Sequence, residues 1–210
     1  MLNTEKEIID VCKEKNYHFY NLVTETECEN LKLSEEEFRQ RLKEILDVMK
    51  SSSRNTLKKP IKTKYGMIDG FAEKFYKYQE NHEPIVGKFL TRVMAAAFST
   101  SETNAGMGII AAAPTAGSAG IMPAAIFAMQ DKYNLDDETL INGLATSIGV
   151  GQIIGKYATF AGAEGGCQAE CGSASAMAAG AVVEMLGGSV EEALNAASIT
   201  LINVMGLACD

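Results

Sequence analysis

The sequence predicts an all-α fold, on three observations. Three Ser/Thr-x-x-Glu boxes stand just ahead of apolar runs, and such a box satisfies two orphan N–H groups at a helix start. No long apolar–polar alternation occurs and β-branched residues are sparse, so strands lack their signal. From Ile85 onward Ala, Gly, Ser and Met dominate, and small residues let helix backbones pack closely.

The elements follow in order. Thr4 with Glu7 opens a helix carrying Ile8, Ile9 and Val11. Ser34 with Glu37 opens the next, with Leu33 and Phe38 at the staple positions. Leu42, Ile45, Leu46 and Met49 then form one apolar stripe, and Ser51-Ser52-Ser53 is expected to end that helix. Residues 54–84 are mixed and basic, with Gly66, Gly70 and Pro84; they read as a connector with short structure. Further helices are expected at about 85–100, 120–134, 138–156, 168–186 and 190–206. Gly187-Gly188 closes the fourth of these, and Ser189 with Glu192 opens the fifth. The change of composition divides the chain into an N-terminal helical section with connector, 1–84, and a helical core, 85–210.

Charge narrows the function. Nineteen Lys and Arg stand against 27 Asp and Glu, a net −8, which argues against a nucleic-acid or anionic-membrane partner. Residues 1–92 hold 17 of the bases, whereas 93–210 hold only Lys132 and Lys156. An anion site in the second half must therefore use backbone N–H groups, a metal, one of those lysines or a partner. The start Met1-Leu2-Asn3-Thr4-Glu5 is polar, unlike a signal peptide. The expected setting is the cytoplasm, where the five cysteines are thiols or metal ligands rather than disulfides. Thr103 to Gln130 is 28 residues without a charge, long enough to span a bilayer. It is mostly Ala and Gly, contains Pro114 and Pro123, and lacks an aromatic belt and basic flanks. It reads as closely packed segments of a protein outside the membrane.

Two glycine patterns are near misses. Gly149-Val150-Gly151 to Gly155 places its third glycine one position late for a dinucleotide loop and has no strand before it. As a phosphate loop it has Val150 and Tyr157 at the wrong places. Both read as helix-packing glycines. The only histidines, His18 and His82, lie outside the Ala/Gly-rich half, which removes a His-based zinc site or Ser-His-Asp triad from that half.

The pattern that carries chemistry surrounds Cys167. It follows Gly165-Gly166 and precedes the small-residue run Gly172-Ser173-Ala174-Ser175-Ala176. That places a thiol beside backbone N–H groups and a helix N-terminus, which favours the thiolate. Ala161-Gly162-Ala163-Glu164-Gly165-Gly166-Cys167-Gln168-Ala169-Glu170 with Gly172-Ser173-Ala174 resembles the first cluster-ligand motif of the iron–sulfur-dependent L-serine dehydratases. Gly206-Leu207-Ala208-Cys209-Asp210 resembles the second. Asn104-Ala105-Gly106-Met107-Gly108 and the segment from Ala112 to Pro123 are similar to further family segments.

The resemblance implies an alpha chain that deaminates L-serine to pyruvate and ammonia. It implies a 4Fe–4S cluster held by Cys167, Cys209 and a third cysteine beyond Asp210, where this sequence stops. The alternative is an inactive truncated module without a cluster, or an elimination enzyme for threonine or cysteine. Cys171 replaces the family's usual apolar residue and reads as a packing residue rather than a substitute ligand. In the family, three thiolates leave one iron free to act as a Lewis acid on the serine hydroxyl. A beta chain is the implied partner, and an oligomer is expected. Pro114-Thr115-Ala116-Gly117-Ser118 can turn tightly ahead of a helix N-terminus, so Thr115, Gly117 and Ser118 are the candidates for the substrate carboxylate, with Asn104 beside them. The base is not identified; Lys156 enters as a candidate only because lysines are scarce.

Overall fold

Side chains close the helix starts that the boxes predict. Thr4, Ser34 and Ser189 each accept a hydrogen bond from the N–H of the glutamate three residues on, and each glutamate reaches back to the first residue's N–H. These bonds to the charged form hold the Glu37 and Glu192 carboxyls below the ordinary range. The computed structural model describes residues 4–206, all of whose regular elements are helices. Two compact units divide it: residues up to 44 with those from 135 onward, and residues 45–134.

The first unit contains α1 (Glu5–Lys15), α2 (Phe19–Leu31), the first half of α3 (Glu35–Arg54), α7 (Asp137–Tyr157), α8 (Gly162–Cys167), one π-helical turn (Gln168–Gly172), α9 (Ser173–Met185) and α10 (Val190–Val204). Helix α9 packs against both α7 and α10, and α2 lies on α7. Glycine sets these distances. A Cβ on Gly149 would stand 2.5 Å from Val23 Cγ2 and 2.7 Å from Phe19 Cζ. A Cβ on Gly143 would stand 2.6 Å from Met185 Cγ, and one on Gly180 would stand 2.9 Å from Val150 Cγ2. Gly149, Gly151 and Gly155 are thus packing glycines, as their sequence pattern predicts. Glu184, buried on α9, accepts from Thr146 Oγ1 at 3.0 Å and pairs with His18 Nδ1 at 3.1 Å.

The second unit contains the rest of α3, α4 (Phe71–Asn81), α5 (Gly87–Ala105) and α6 (Ile121–Tyr133). Hydroxyls knit it. Ser99 Oγ donates to the Ser52 carbonyl at 2.8 Å and accepts from the Thr56 N–H at 3.1 Å, and Ser52 Oγ lies 3.4 Å from Thr100 Oγ1. Gly120 lets α6 start against α5, since a Cβ there would be 2.6 Å from the Ala97 carbonyl oxygen. The change of composition near 85 falls within this unit.

Three sequence expectations are corrected. The serines do not end α3, which continues to Arg54. Ser52 and Ser53 turn their hydroxyls back onto the Met49 and Lys50 carbonyls, so they stay helical and buried. The 54–84 connector contains a full helix, α4, whose Phe71 and Phe75 pack on Phe98 of α5 at ring distances of 5.5 and 5.3 Å. Glu102 of α5 caps α4 by accepting from the Ala72 N–H at 3.1 Å. The helix expected over 168–186 starts as a π turn before α9. No helix among the described residues is long and apolar enough to cross a membrane.

Candidate functional site

Cys167 owes its position to two glycines. Gly165 (φ −113°, ψ 17°) and Gly166 (φ 66°, ψ −170°) break the helical path, and a positive φ with extended ψ is open to glycine and not to residues with a Cβ. The chain re-enters the helical region at Cys167 (φ −61°, ψ −21°) and stays there through the π turn into α9. Cys167 therefore stands at the junction of α8 and the π turn, where the Gln168 N–H bonds to the Gly165 and Gly166 carbonyls. Its side chain is exposed.

The π turn is tied on two sides. Gln168 Nε2 donates to the Leu201 carbonyl of α10 at 3.4 Å. Glu170 lies against Gly162, where a Cβ would meet Oε2 at 2.6 Å. Single π turns inside α-helices are rare and concentrate at functional sites. Cys171, expected to pack rather than to ligate, is exposed. Cys209 lies outside the described residues. Lys156 sits exposed in the last turn of α7, its Nζ 5.5 Å from the Tyr157 ring centre.

The substrate-binding candidates gather in the second unit, within residues 104–120. Thr115 Oγ1 and Ser118 Oγ are 3.1 Å apart, and Asn104 Nδ2, from the last turn of α5, donates to the Ala116 carbonyl at 3.4 Å. Ser118 is buried, and Gly117 is exposed at the tip of the turn. The expectation that the following helix offers its first N–H groups is only partly met. The Ala119 and Ile121 N–H groups already bond to the Ala116 and Ser118 carbonyls, and Pro123 in the first turn of α6 has none to offer. Donation from this loop therefore falls to side chains and to backbone N–H groups other than those of Ala119 and Ile121.

Two features escaped the sequence reading. The π turn has no local signature beyond its glycines. The buried Glu102, whose Oε1 caps α4, is a lone acid in an uncharged stretch, a signal that could have marked it for a partner.

Comparison with known proteins supplies the relationship. A family model described as "Serine dehydratase alpha chain" matches residues 14–210. The L-serine dehydratase alpha chain of Peptoniphilus asaccharolyticus is 61% identical over 210 residues, all of this chain and 72% of that protein. The probable L-serine dehydratase alpha chain of Bacillus subtilis is 38% identical over the same length, 70% of that protein. The L-serine dehydratase of Streptomyces coelicolor is 42% identical over 115 residues, 54% of this chain and 25% of that one. This chain belongs to the serine dehydratase alpha chain family.

Proposed function

We propose that the chain is the alpha part of an L-serine dehydratase, a lyase converting L-serine to pyruvate and ammonia. Full-length similarity to an L-serine dehydratase alpha chain carries the reading. Loss of the Cα proton and the β-hydroxyl yields 2-aminoacrylate and water. The aminoacrylate tautomerises to the imine, which takes up water to release ammonia and pyruvate.

A 4Fe–4S cluster is the proposed cofactor, with Cys167 and Cys209 as ligands and a third cysteine beyond Asp210. The residues described fit such a group in one respect: Cys167 is an exposed thiol, so metal can reach it without unfolding. When bound, the cluster would supply a Lewis acid that makes the hydroxyl a better leaving group. The chain's own residues would position the substrate. The Thr115 hydroxyl and the Asn104 amide would donate to the serine carboxylate, with Gly117 leaving room at the turn tip. Ser118, buried with its hydroxyl on the Ala113 and Thr115 carbonyls, would have to turn from them to join. Lys156 stays as the candidate base for the Cα proton. A beta chain is the proposed partner, in an oligomeric cytoplasmic enzyme.

Anaerobic reconstitution with iron and sulfide, read by visible absorption, tests the cofactor on this chain and on one extended past Asp210. A brown species in the longer chain, lost in Cys167→Ala and in Cys209→Ala, is expected; a colourless longer chain sinks the cluster. In the complete enzyme Cys167→Ala should cost about 100-fold or more in kcat/KM, above the effect of losing an outer-shell partner. Thr115→Ala should raise KM for serine with little change in kcat, and an unchanged KM removes Thr115 from the site.

A further inference from the structure

The second unit carries a half-open cleft of about 670 Å³, within the range of roughly 300–1,000 Å³ typical of small-molecule sites. Its walls come from the end of α3, the 55–59 segment, α4, α5 and α6. Apolar groups form most of the surface, with Phe89, Phe127 and Tyr76 as the aromatic members.

Cations stand above these rings. Lys132 Nζ is 4.8 Å from the Phe89 ring centre, Lys58 Nζ 5.8 Å from that of Tyr76, and Arg54 Cζ 5.6 Å from that of Phe127. The lining carries six Lys and Arg side chains and one acid, Asp131. Arg54 pairs with Asp131 at 3.2 Å, and Lys88 with Glu83 at 3.4 Å. Lys58, Lys59, Arg92 and Lys132 have no carboxylate partner among the described residues.

General basicity does not account for this. The whole chain carries −8. Residues 45–134 hold eleven Lys and Arg against seven Asp and Glu, hence +4, so the remainder carries −12. Four cations without a carboxylate partner line one apolar cavity, and an anionic ligand would find complementary charge there.

We propose that this cavity binds a polyanion with a flat apolar body, the chemistry of a nucleoside polyphosphate. The ring would lie against Phe89 and Tyr76, over a floor that includes the buried Phe127, and the phosphates would meet Lys58, Lys59, Arg92 and Lys132. Four positive charges favour several phosphate charges over one carboxylate, and aromatic walls favour a ring over a bare anion. Nothing in this inference depends on serine as substrate.

Its test is a fluorescence titration of the complete enzyme with trinitrophenyl-ATP, displaced by ATP. Adenosine and tripolyphosphate, each lacking half of the recognised chemistry, should displace about tenfold more weakly than ATP. A Lys58→Glu/Arg92→Glu variant should bind about tenfold more weakly, with Lys58→Gln/Arg92→Gln between it and the parent. Both residues are exposed, so the fold, checked by circular dichroism, should persist. Ala96→Trp, which fills the apolar part, should also weaken the probe. Unchanged affinity in the charge-reversed variant overturns the proposal. Tripolyphosphate binding as tightly as ATP reduces the cavity to a basic patch and also overturns it. Exclusion of the probe from the complete enzyme, with binding to the separated alpha chain, would make the cavity a protein interface instead. Since binding rather than turnover is read, either result leaves the dehydratase reading standing.

Discussion

The two units use the same packing devices with different emphasis. The unit built on α7, α9 and α10 is acidic and brings its helices together by deleting side chains at Gly143, Gly149 and Gly180. The unit of residues 45–134 is basic and joins its helices through buried hydroxyls at Ser52, Ser99, Thr100 and Thr103, with Glu102 capping α4. Close approach by glycine costs backbone entropy in the unfolded chain. Close approach by serine and threonine makes partners necessary for the buried hydroxyls, and among the described residues of this unit Thr56 Oγ1 is left without one. The candidate residues follow the same division: Cys167 belongs to the glycine-packed unit, and Asn104, Thr115, Gly117 and Ser118 to the hydroxyl-knit one.

The contrast can be broken or sharpened experimentally. The largest effect should come from emptying each core. Leu140→Ala in the first unit and Met122→Ala in the second, both fully buried, should each cost about 2–5 kcal/mol in chemical denaturation. A pair of separate transitions, each shifted by one variant alone, would show units that unfold independently; one shared transition would show a single cooperative fold.

Ser99→Ala comes next. It removes the donor to the Ser52 carbonyl and leaves the buried Thr56 N–H without its acceptor, for about 2 kcal/mol. Hydrogen exchange should speed up at the end of α3 and along α5, and an effect confined to α7 and α9 would contradict the hydroxyl account. Gly149→Ala should cost about 1–3 kcal/mol through overpacking, because Val23 and Phe19 are themselves buried and have little room to withdraw. Its exchange signature belongs in α2 and α7.

The smallest effect is a pH dependence in the glycine-packed unit. Burial, and then the nearby Glu184, push the Cys12 thiol from 9.0 up to about 11. A thiol with a raised folded-state pKa contributes stability that is complete below pH 9 and lost as pH climbs towards 11. The melting temperature should therefore fall over that interval and fall less in Cys12→Ala; identical slopes would reject the assignment.

The candidate site was legible to different depths. The Cys167 motif was readable because Gly-Gly before a cysteine and a small-residue run is a local pattern, and the positive φ of Gly166 is a local requirement. The turn over Thr115 and Ser118 was readable for the same reason. Asn104 bonding to Ala116 was not, because it depends on how the end of α5 meets a loop twelve residues later.

By itself the sequence determined the all-α class, the helix starts at Thr4, Ser34 and Ser189, the packing role of Gly149, Gly151 and Gly155, and the family motifs. Each rests on contacts within a few residues or on composition, which a linear chain already contains. Only the tertiary structure decided that α3 runs through its serines, that α4 exists, and that a π turn follows Cys167. The same holds for the basic cavity, assembled from side chains of segments up to about eighty residues apart. The physical reason is common to all four: a buried hydroxyl, a cap borrowed from another helix, the Gln168 tie to the Leu201 carbonyl and a cavity wall are stabilised by neighbours distant along the chain, and local propensity does not encode which neighbours arrive.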